Sequence, residues 1–135
     1  MTAPAGGAPL ESDVKYMVMM FGDQATILET KSMEWVREMI HFMDQVKTDL
    51  AASGELVLAA GLADPTEAKT VRIVNGLAAA TDGPFAESKE SLAGYWILDV
   101  VSEARAVEFA EMIVNFTKGA VEVRQVMAGP PDELR

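Results

Sequence analysis

Apolar residues follow two spacings along this chain, and the change from one to the other marks the predicted strands and helices. The segment from Lys15 to Phe21 is apolar at nearly every position and stops at Gly22-Asp23, which predicts a strand buried on both faces. From about Ser32 to Ala52 the apolar residues recur at helical intervals, which predicts a long amphipathic helix capped by Ser32 and ended by Gly54. Its apolar face should carry Val36, Ile40, Met43 and Leu50, with Trp35, Met39, Phe42 and Val46 on the adjoining stripe.

The remainder of the chain predicts further strands and one more helix. Extended apolar runs predict strands at Glu55 to Ala60, Thr70 to Val74, Leu77 to Thr81, Tyr95 to Val100 and Val121 to Val126. Asn75-Gly76 separates two of these strands and favours a type I′ hairpin, because both turn residues tolerate positive φ. Ser102 is expected to cap a helix from about Glu103 to Phe116, and Gly119 is expected to end the turn after it. The apolar side of this helix should carry Ala106, Val107, Ala110, Ile113 and Val114.

This order of elements predicts an α+β fold. Strand, helix, strand, hairpin, strand, helix, strand is the ferredoxin-like βαββαβ pattern with an added β-hairpin. Right-handed crossovers would place two helices on one face of an antiparallel sheet and leave the second face bare. In the central strands, both odd and even positions are apolar, and these positions point to opposite faces of the sheet. The second face should therefore also be apolar. We therefore expect a homodimer in which two sheets pack together as a dimeric α+β barrel.

Composition narrows the classes of function. The 135 residues are enough for one domain, which we expect at residues 14–128 between a flexible N-terminal tail at 1–13 and a C-terminal tail at 129–135. The chain has 21 Asp plus Glu against 11 Lys plus Arg, and this acidic balance argues against nucleic acid or a membrane as partner. There is no cysteine, which excludes disulfides and thiolate chemistry. No secretory signal or membrane-spanning stretch is evident, so we expect a cytoplasmic protein.

One segment resembles a known family. The stretch KTVRIVNGLAAATDGPFAESKESLAGYWIL, with KYMVMMFGD near the start and VEVRQV near the end, is similar to the YciI-related (YCII/DGPF-domain) family. The resemblance covers residues 14–128 and implies membership of the dimeric α+β barrel superfamily. For the DGPF branch it implies no settled activity, although some relatives act as small-molecule lyases or dehydrochlorinases through a His and Asp pair. Here His41 lies nearly a turn before the relatives' histidine position, near Met43 or Asp44, while Asp64 falls near their aspartate.

Three residues are candidates for acid-base catalysis: His41, Asp64 and Asp82. Imidazole titrates near neutrality, and a carboxylate can abstract a proton if its surroundings suit. Each of the three could instead have a purely structural role. His41 could be an ordinary helix residue, Asp64 before Pro65 is a common turn residue, and Asp82 before Gly83-Pro84 could hold an Asx-type turn by accepting from Phe85 or a later donor.

Five residues are candidates for ligand binding. Tyr95 and Trp96 alternate on one strand, so one should pack under the helices while the other faces the second side of the sheet. Phe85 and Glu87 follow Asp82 in the DGPF segment, where Glu87 and Lys89 are close enough in sequence to build a polar rim. Arg72 could hold an anionic group, although pairing of Arg72 and Arg124 with Glu122 or Asp99 is the structural alternative.

The sequence contains no phosphate-binding loop, nucleophile elbow or paired-histidine motif, so we predict no cofactor and no metal. The nine methionines are read as core residues. We interpret the chain as a homodimer that binds a small organic molecule. Two alternatives stay open: a cofactor-independent acid-base lyase or isomerase, and a non-catalytic binding or regulatory-partner module.

Overall fold

Strands and helices follow one another along the chain in the predicted order, with one additional helix. The computed structural model describes residues 14–22, 24–84 and 90–135, with the backbone alone for residues 24–26. The strands of these residues are β1 (Lys15–Phe21), β2 (Leu56–Gly61), β3 (Lys69–Val74), β4 (Leu77–Asp82), β5 (Leu92–Asp99) and β6 (Val121–Val126). The helices are α1 (Gln24–Thr30), α2 (Met33–Ser53) and α3 (Glu103–Thr117), with single 3-10 turns at Pro65–Glu67 and Asp132–Leu134.

The two long helices begin at the predicted caps. The Ser32 hydroxyl accepts the Trp35 backbone N–H at 3.0 Å, and the Ser102 hydroxyl accepts that of Arg105 at 3.2 Å. Gly54 ends α2 in the left-handed conformation at φ 81°. The end of α3 differs from the prediction, because Lys118 rather than Gly119 takes the left-handed position, at φ 65°. The Lys118 N–H closes the last turn on the Val114 carbonyl at 2.8 Å.

The Asn75-Gly76 hairpin is confirmed. Both turn residues have positive φ, 53° at Asn75 and 82° at Gly76, and Val74 pairs directly with Leu77. We call the β3-β4 hairpin the arm, residues 69–82. Its base is closed by Thr70, whose hydroxyl donates to the Gly83 carbonyl at 2.7 Å.

The other four strands form one antiparallel sheet in the order β2-β5-β1-β6. One face of this sheet carries the core, in which alternate residues of β1 and β5 pack with α2 and α3. The buried residues of this core cluster are Tyr16, Val18, Val46, Leu50, Trp96, Leu98, Val100, Ala106, Phe109, Ala110 and Ile113. The predicted α+β class with an antiparallel sheet is therefore confirmed.

The opposite face of the sheet, the second face, carries the remaining alternate positions. Met17 pairs with Ile97 and Met19 pairs with Tyr95 at its centre, and all four side chains are half-buried. Charged residues lie toward its margin, where Arg124 and Glu122 form an ion pair at 2.6 Å. The predicted structural use of Arg124 is thus confirmed.

The arm packs little against the rest of the protein. Among the described elements, β3 and β4 make extensive contact only with each other. Val71 and Ile73 on one side of the arm are 63% and 69% exposed, and Leu77 at its tip is 74% exposed. A two-stranded hairpin is marginally stable by itself in water, so this apolar surface is an unusual feature.

Packing differs from the sequence prediction at particular helix positions. Ile40 was expected on the apolar face of α2 but is 52% exposed, and Val107 on α3 is 40% exposed. Phe109, absent from the predicted face of α3, is 1% exposed and central to the core. The short helix α1 was not predicted. No helix in the described part of the chain has the length and hydrophobicity needed to cross a membrane.

Candidate functional site

Two adjoining cavities lie where α1 and α2 approach one end of the sheet. The larger cavity has a volume of about 490 Å³ and the smaller cavity about 290 Å³. They share Met20, Ile27, Met39 and Ala93 as wall residues. A cleft of this combined size, with mostly apolar walls, suits a small organic ligand.

The end of the sheet shapes the smaller cavity through a close approach of two strands. Gly94 of β5 pairs with Gly61 of β2, and both border the cavity. A Cβ atom on Gly94 would lie only 2.8 Å from the Ala60 carbonyl oxygen, so any side chain there would push the strands apart. Glycine at this position therefore lets β2 and β5 meet beside the cavity.

Each of the two tryptophans borders a different cavity. Trp96 borders the smaller one, where its indole N–H donates to the Met20 sulfur at 3.4 Å. It is held edge-on to Phe109 of α3, with ring centroids 5.1 Å apart. Trp35 borders the larger cavity and packs on Phe116 at a centroid distance of 5.8 Å. Both aromatic walls are thus anchored by α3.

Charged side chains are few around the cleft. Among the described wall residues, Lys31 and Glu90 border the larger cavity, and Lys47 is the charged residue at the smaller one. The Lys31 ammonium lies 5.0 Å from the centre of the Trp35 ring, in a cation-π contact. An overall acidic protein therefore presents lysines at the mouth of its apolar cleft.

The three candidate catalytic residues occupy separate surroundings. His41 is exposed on α2 and does not border either cavity. Asp64 caps the 3-10 turn by accepting from the backbone N–H and the hydroxyl of Thr66, at 3.0 and 2.9 Å. Asp82 accepts from the Lys69 ammonium at 2.6 Å across the arm. Within the described residues, no hydrogen bond or ion pair joins His41 to either carboxylate.

Asp64 is nevertheless next to the cleft, because its neighbour Pro65 forms part of the wall of the larger cavity. Asp82 is largely exposed on the arm. Its predicted Asx-type contact with Phe85 falls outside the described residues, as do the candidate ligand residues Phe85 and Glu87.

The other candidate ligand residues divide between the cleft and the arm. The strand segment containing Tyr95 and Trp96 forms a wall of the smaller cavity. Trp96 is the residue that packs under the helices, at 4% exposure, while Tyr95 takes the alternate position. Arg72 is exposed on β3 and does not border either cavity.

Two further carboxylates lie at the opposite end of β5. The Glu55 carboxylate receives two hydrogen bonds from the Arg105 guanidinium, at 2.8 and 2.9 Å, and one from the Ser53 hydroxyl. The Arg105 hydrogen bonds lower the pKa of Glu55 against the raising effect of burial. Asp99 has one buried oxygen without a hydrogen-bond partner among the described residues. Across residues 14–22, 24–84 and 90–135, no group of three or more His, Asp or Glu residues is arranged to hold a metal ion.

Sequence reasoning missed most of the cleft. Met20, Ile27, Met39 and Lys47 come from three different elements. Met20 was predicted in the first strand and Met39 on the helix face, but none of the four was predicted as a site residue. The spacing of Met39, Met43 and Lys47 at successive helical turns puts them on one stripe of α2, which could have indicated a lysine beside an apolar surface.

An antiparallel α+β protein with an apolar cleft at the end of its sheet is the class that this fold and site define. The chain belongs to the YCII-related domain family, whose model it matches over residues 14–129. It is also similar to an uncharacterised protein of Rhizobium meliloti (strain 1021), with 31% identity over 121 residues that cover 88% of this chain and 97% of the relative. The family resemblance found in the sequence is therefore confirmed.

Proposed function

We propose that this YCII-related protein is a cytoplasmic homodimer that binds a small organic molecule in the cleft formed by the two cavities. The observation that carries the proposal is the pair of adjoining, mostly apolar cavities, each bordered by one of the two tryptophans. A largely apolar concave site with few charged groups is typical of small-molecule binding.

The homodimer is supported by two apolar surfaces on one chain. The second face presents Met17, Met19 and Ile97 at its centre, and the arm presents Val71 and Ile73. The strand order β2-β5-β1-β6 with antiparallel neighbours supports a ferredoxin-like sheet to which the arm is added. In the proposed dimer two second faces pack together as an α+β barrel, and the arms are covered by the partner chain.

Acid-base catalysis of the lyase or isomerase type, without a cofactor, is the chemical extension of this proposal. Asp64 has the best support, because it adjoins the wall of the larger cavity. His41 and Asp82 are retained as candidates that substitution can test. The second candidate function, a non-catalytic binding or regulatory-partner module, is favoured by the placement of His41 and Asp82 away from both cavities.

A thermal-shift screen with a metabolite panel tests the binding function. A ligand that binds only the native protein raises the unfolding midpoint, and the stabilisation grows with the logarithm of ligand concentration above the dissociation constant. The expected result is at least one small molecule whose effect is lost in a Met39→Trp variant, which fills the shared wall, but kept in an Ile40→Trp variant, which changes an exposed position of the same helix. Equal shifts in both variants would place binding outside the cleft and refute the proposal.

The same ligand then tests catalysis. Each of His41→Ala, Asp64→Ala and Asp82→Ala is compared with the parent protein for conversion of the bound molecule. Loss of conversion on removal of Asp64 supports the lyase or isomerase reading. A molecule that binds but is never converted supports the non-catalytic module.

A further inference from the structure

We infer that the smaller cavity takes an apolar molecule carrying one anionic group, and that Lys47 provides the opposing charge. This inference rests on the proposed binding function and adds the chemical class of the ligand. The cavity walls supply the apolar part of the argument, since Met20, Met39, Met43 and Trp96 all border it. Thioether and indole surfaces adapt to flat or irregular apolar ligands and contribute mainly by excluding water.

The charge of Lys47 supports the presence of an anionic group on the ligand. Lys47 is the charged residue among the described wall residues of the smaller cavity, and none of these described residues is a carboxylate. The described residues give its ammonium no hydrogen bond or ion pair, although Asp44 precedes it by three positions on the same helix. In a chain of formal charge -10, a cation that has no partner among the described residues and lies next to an apolar wall makes the local potential more positive than that of the surrounding surface.

The position of Lys47 fits an anion at the cavity mouth. Its side chain is exposed, so the alkyl stem can lie along the apolar wall while the ammonium remains in water. A carboxylate, sulfonate or phosphate group on a bound apolar body would then meet the ammonium without being fully desolvated. Such a partly exposed pair is worth a modest factor in affinity.

The larger cavity should prefer an anionic ligand less strongly than the smaller cavity does. Its lysine, Lys31, already lies over the Trp35 ring, and Glu90 borders the same space. A carboxylate in the wall offsets the attraction for an anion. The preference for an anionic group is therefore assigned to the smaller cavity.

Two fluorescent compounds with the same aromatic body test this inference. Anilinonaphthalene sulfonate carries a negative charge, and N-phenylnaphthylamine lacks it. Both are titrated into a Trp35→Phe protein, in which energy transfer comes from Trp96 at the smaller cavity. The expected dissociation constant is about fivefold lower for the sulfonate than for the amine.

Substitution of the lysine identifies the source of the preference. In Lys47→Gln the two compounds should bind about equally, whereas in Arg37→Gln, on an exposed site of the same helix away from both cavities, the preference should remain. Thermal unfolding of both variants checks that the fold is intact. Equal binding of both compounds to the parent protein would overturn the inference and leave the binding function standing. If neither compound binds, the inference is overturned, whereas the binding function is decided separately by the thermal-shift screen with its Met39→Trp and Ile40→Trp variants.

Discussion

Gly94 lies where β5 passes so close to β2 that a side chain has no room. Its missing Cβ atom would meet the Ala60 carbonyl at 2.8 Å and the Gly61 Cα at 3.4 Å. Because both neighbours belong to the backbone, neither can rotate away as a side chain would. The close approach of these strands therefore depends on this one residue, which also borders the smaller cavity.

Gly94→Ala should lower the free energy of unfolding by about 1–3 kcal/mol, because the strands must separate to admit the methyl group. Urea denaturation measures the change. Gly61→Ala, directly opposite in the register, is the matched control, since nothing lies within 4 Å of its added Cβ. It should change the free energy by about 0.5 kcal/mol or less. Equal effects of the two substitutions would show that the packing argument is wrong.

Glu55 is a single residue whose ion pair with Arg105 contributes to the stability of the protein. Its carboxylate binds Arg105 in a bidentate geometry and remains largely buried, with 18% of its side chain exposed. The pKa of Glu55 is lowered in the folded protein, first by the Arg105 hydrogen bonds. A lowered folded pKa means that the stabilisation is complete above the unfolded pKa of about 4.3 and is lost as the pH falls through the folded pKa.

Glu55→Gln should therefore destabilise the protein by about 1 kcal/mol near neutral pH. The difference from the parent protein should shrink as the pH falls below the unfolded pKa of about 4.3 and Glu55 becomes protonated in the folded protein. Urea unfolding over a series of pH values measures this. Glu108→Gln removes the other, 69% exposed partner of Arg105 and should have a much smaller effect at every pH. A difference between Glu55→Gln and the parent that grows at acidic pH would contradict the assigned pKa direction.

The arm is the element whose structure is least explained by its own chain. Its strands are joined by regular cross-strand pairs and a well-formed turn, yet Val71 and Ile73 remain more than half exposed. The arm contains two cations, Lys69 and Arg72, and one carboxylate, Asp82, in a chain with many more acidic than basic residues. The exposed apolar side chains of the arm support a second copy of the chain as its proposed cover.

A Val71→Thr/Ile73→Thr double variant should weaken the proposed dimer about tenfold, because threonine remains β-branched but replaces an apolar group of each side chain with a hydroxyl. Sedimentation equilibrium over a concentration series gives the dissociation constant. Val101→Thr serves as the control, since Val101 is 71% exposed in a loop outside the arm. If the double variant dimerises as tightly as Val101→Thr, the arm takes no part in the interface.

For the molecule as a whole, the division between two sheet faces is the main organising feature. One face is covered by helices and contains every strand residue of the buried core cluster at alternating positions, such as Val18 and Trp96. The second face has half-buried apolar residues at its centre and the charged pair Glu122 and Arg124 at its β6 edge. This is the arrangement expected of a surface that becomes a protein interior on association.

A negative charge at the centre of the second face should therefore separate the proposed dimer. Met17→Glu places a carboxylate opposite Ile97, where it would face its own symmetry mate or apolar side chains. The variant should sediment as a monomer at micromolar concentration while keeping its helical circular dichroism. Met127→Glu makes the same change at a position that is 71% exposed and should leave the assembly intact. A dimer that survives Met17→Glu would require a different interface.

Local patterns were enough to predict most elements of this chain. The caps at Ser32, Ser102 and Gly54 and the Asn75-Gly76 turn depend on interactions within a few residues, so the sequence alone determined them. The family resemblance came from a contiguous motif and is equally local. The helix α1 escaped prediction because seven residues without charged end signals give too little periodicity.

Tertiary packing decided which helix residues are buried and where the cleft forms, because local sequence patterns do not determine either. The exposure of Ile40 and the burial of Phe109 depend on which stripe of each helix meets the sheet, and an apolar face wider than the contact does not specify this. The cleft likewise depends on contacts such as that between Met20 and Trp96, which are 76 positions apart. Residues so distant in sequence become neighbours only through the sheet order, because strand pairing sets their positions while spacing along the chain does not.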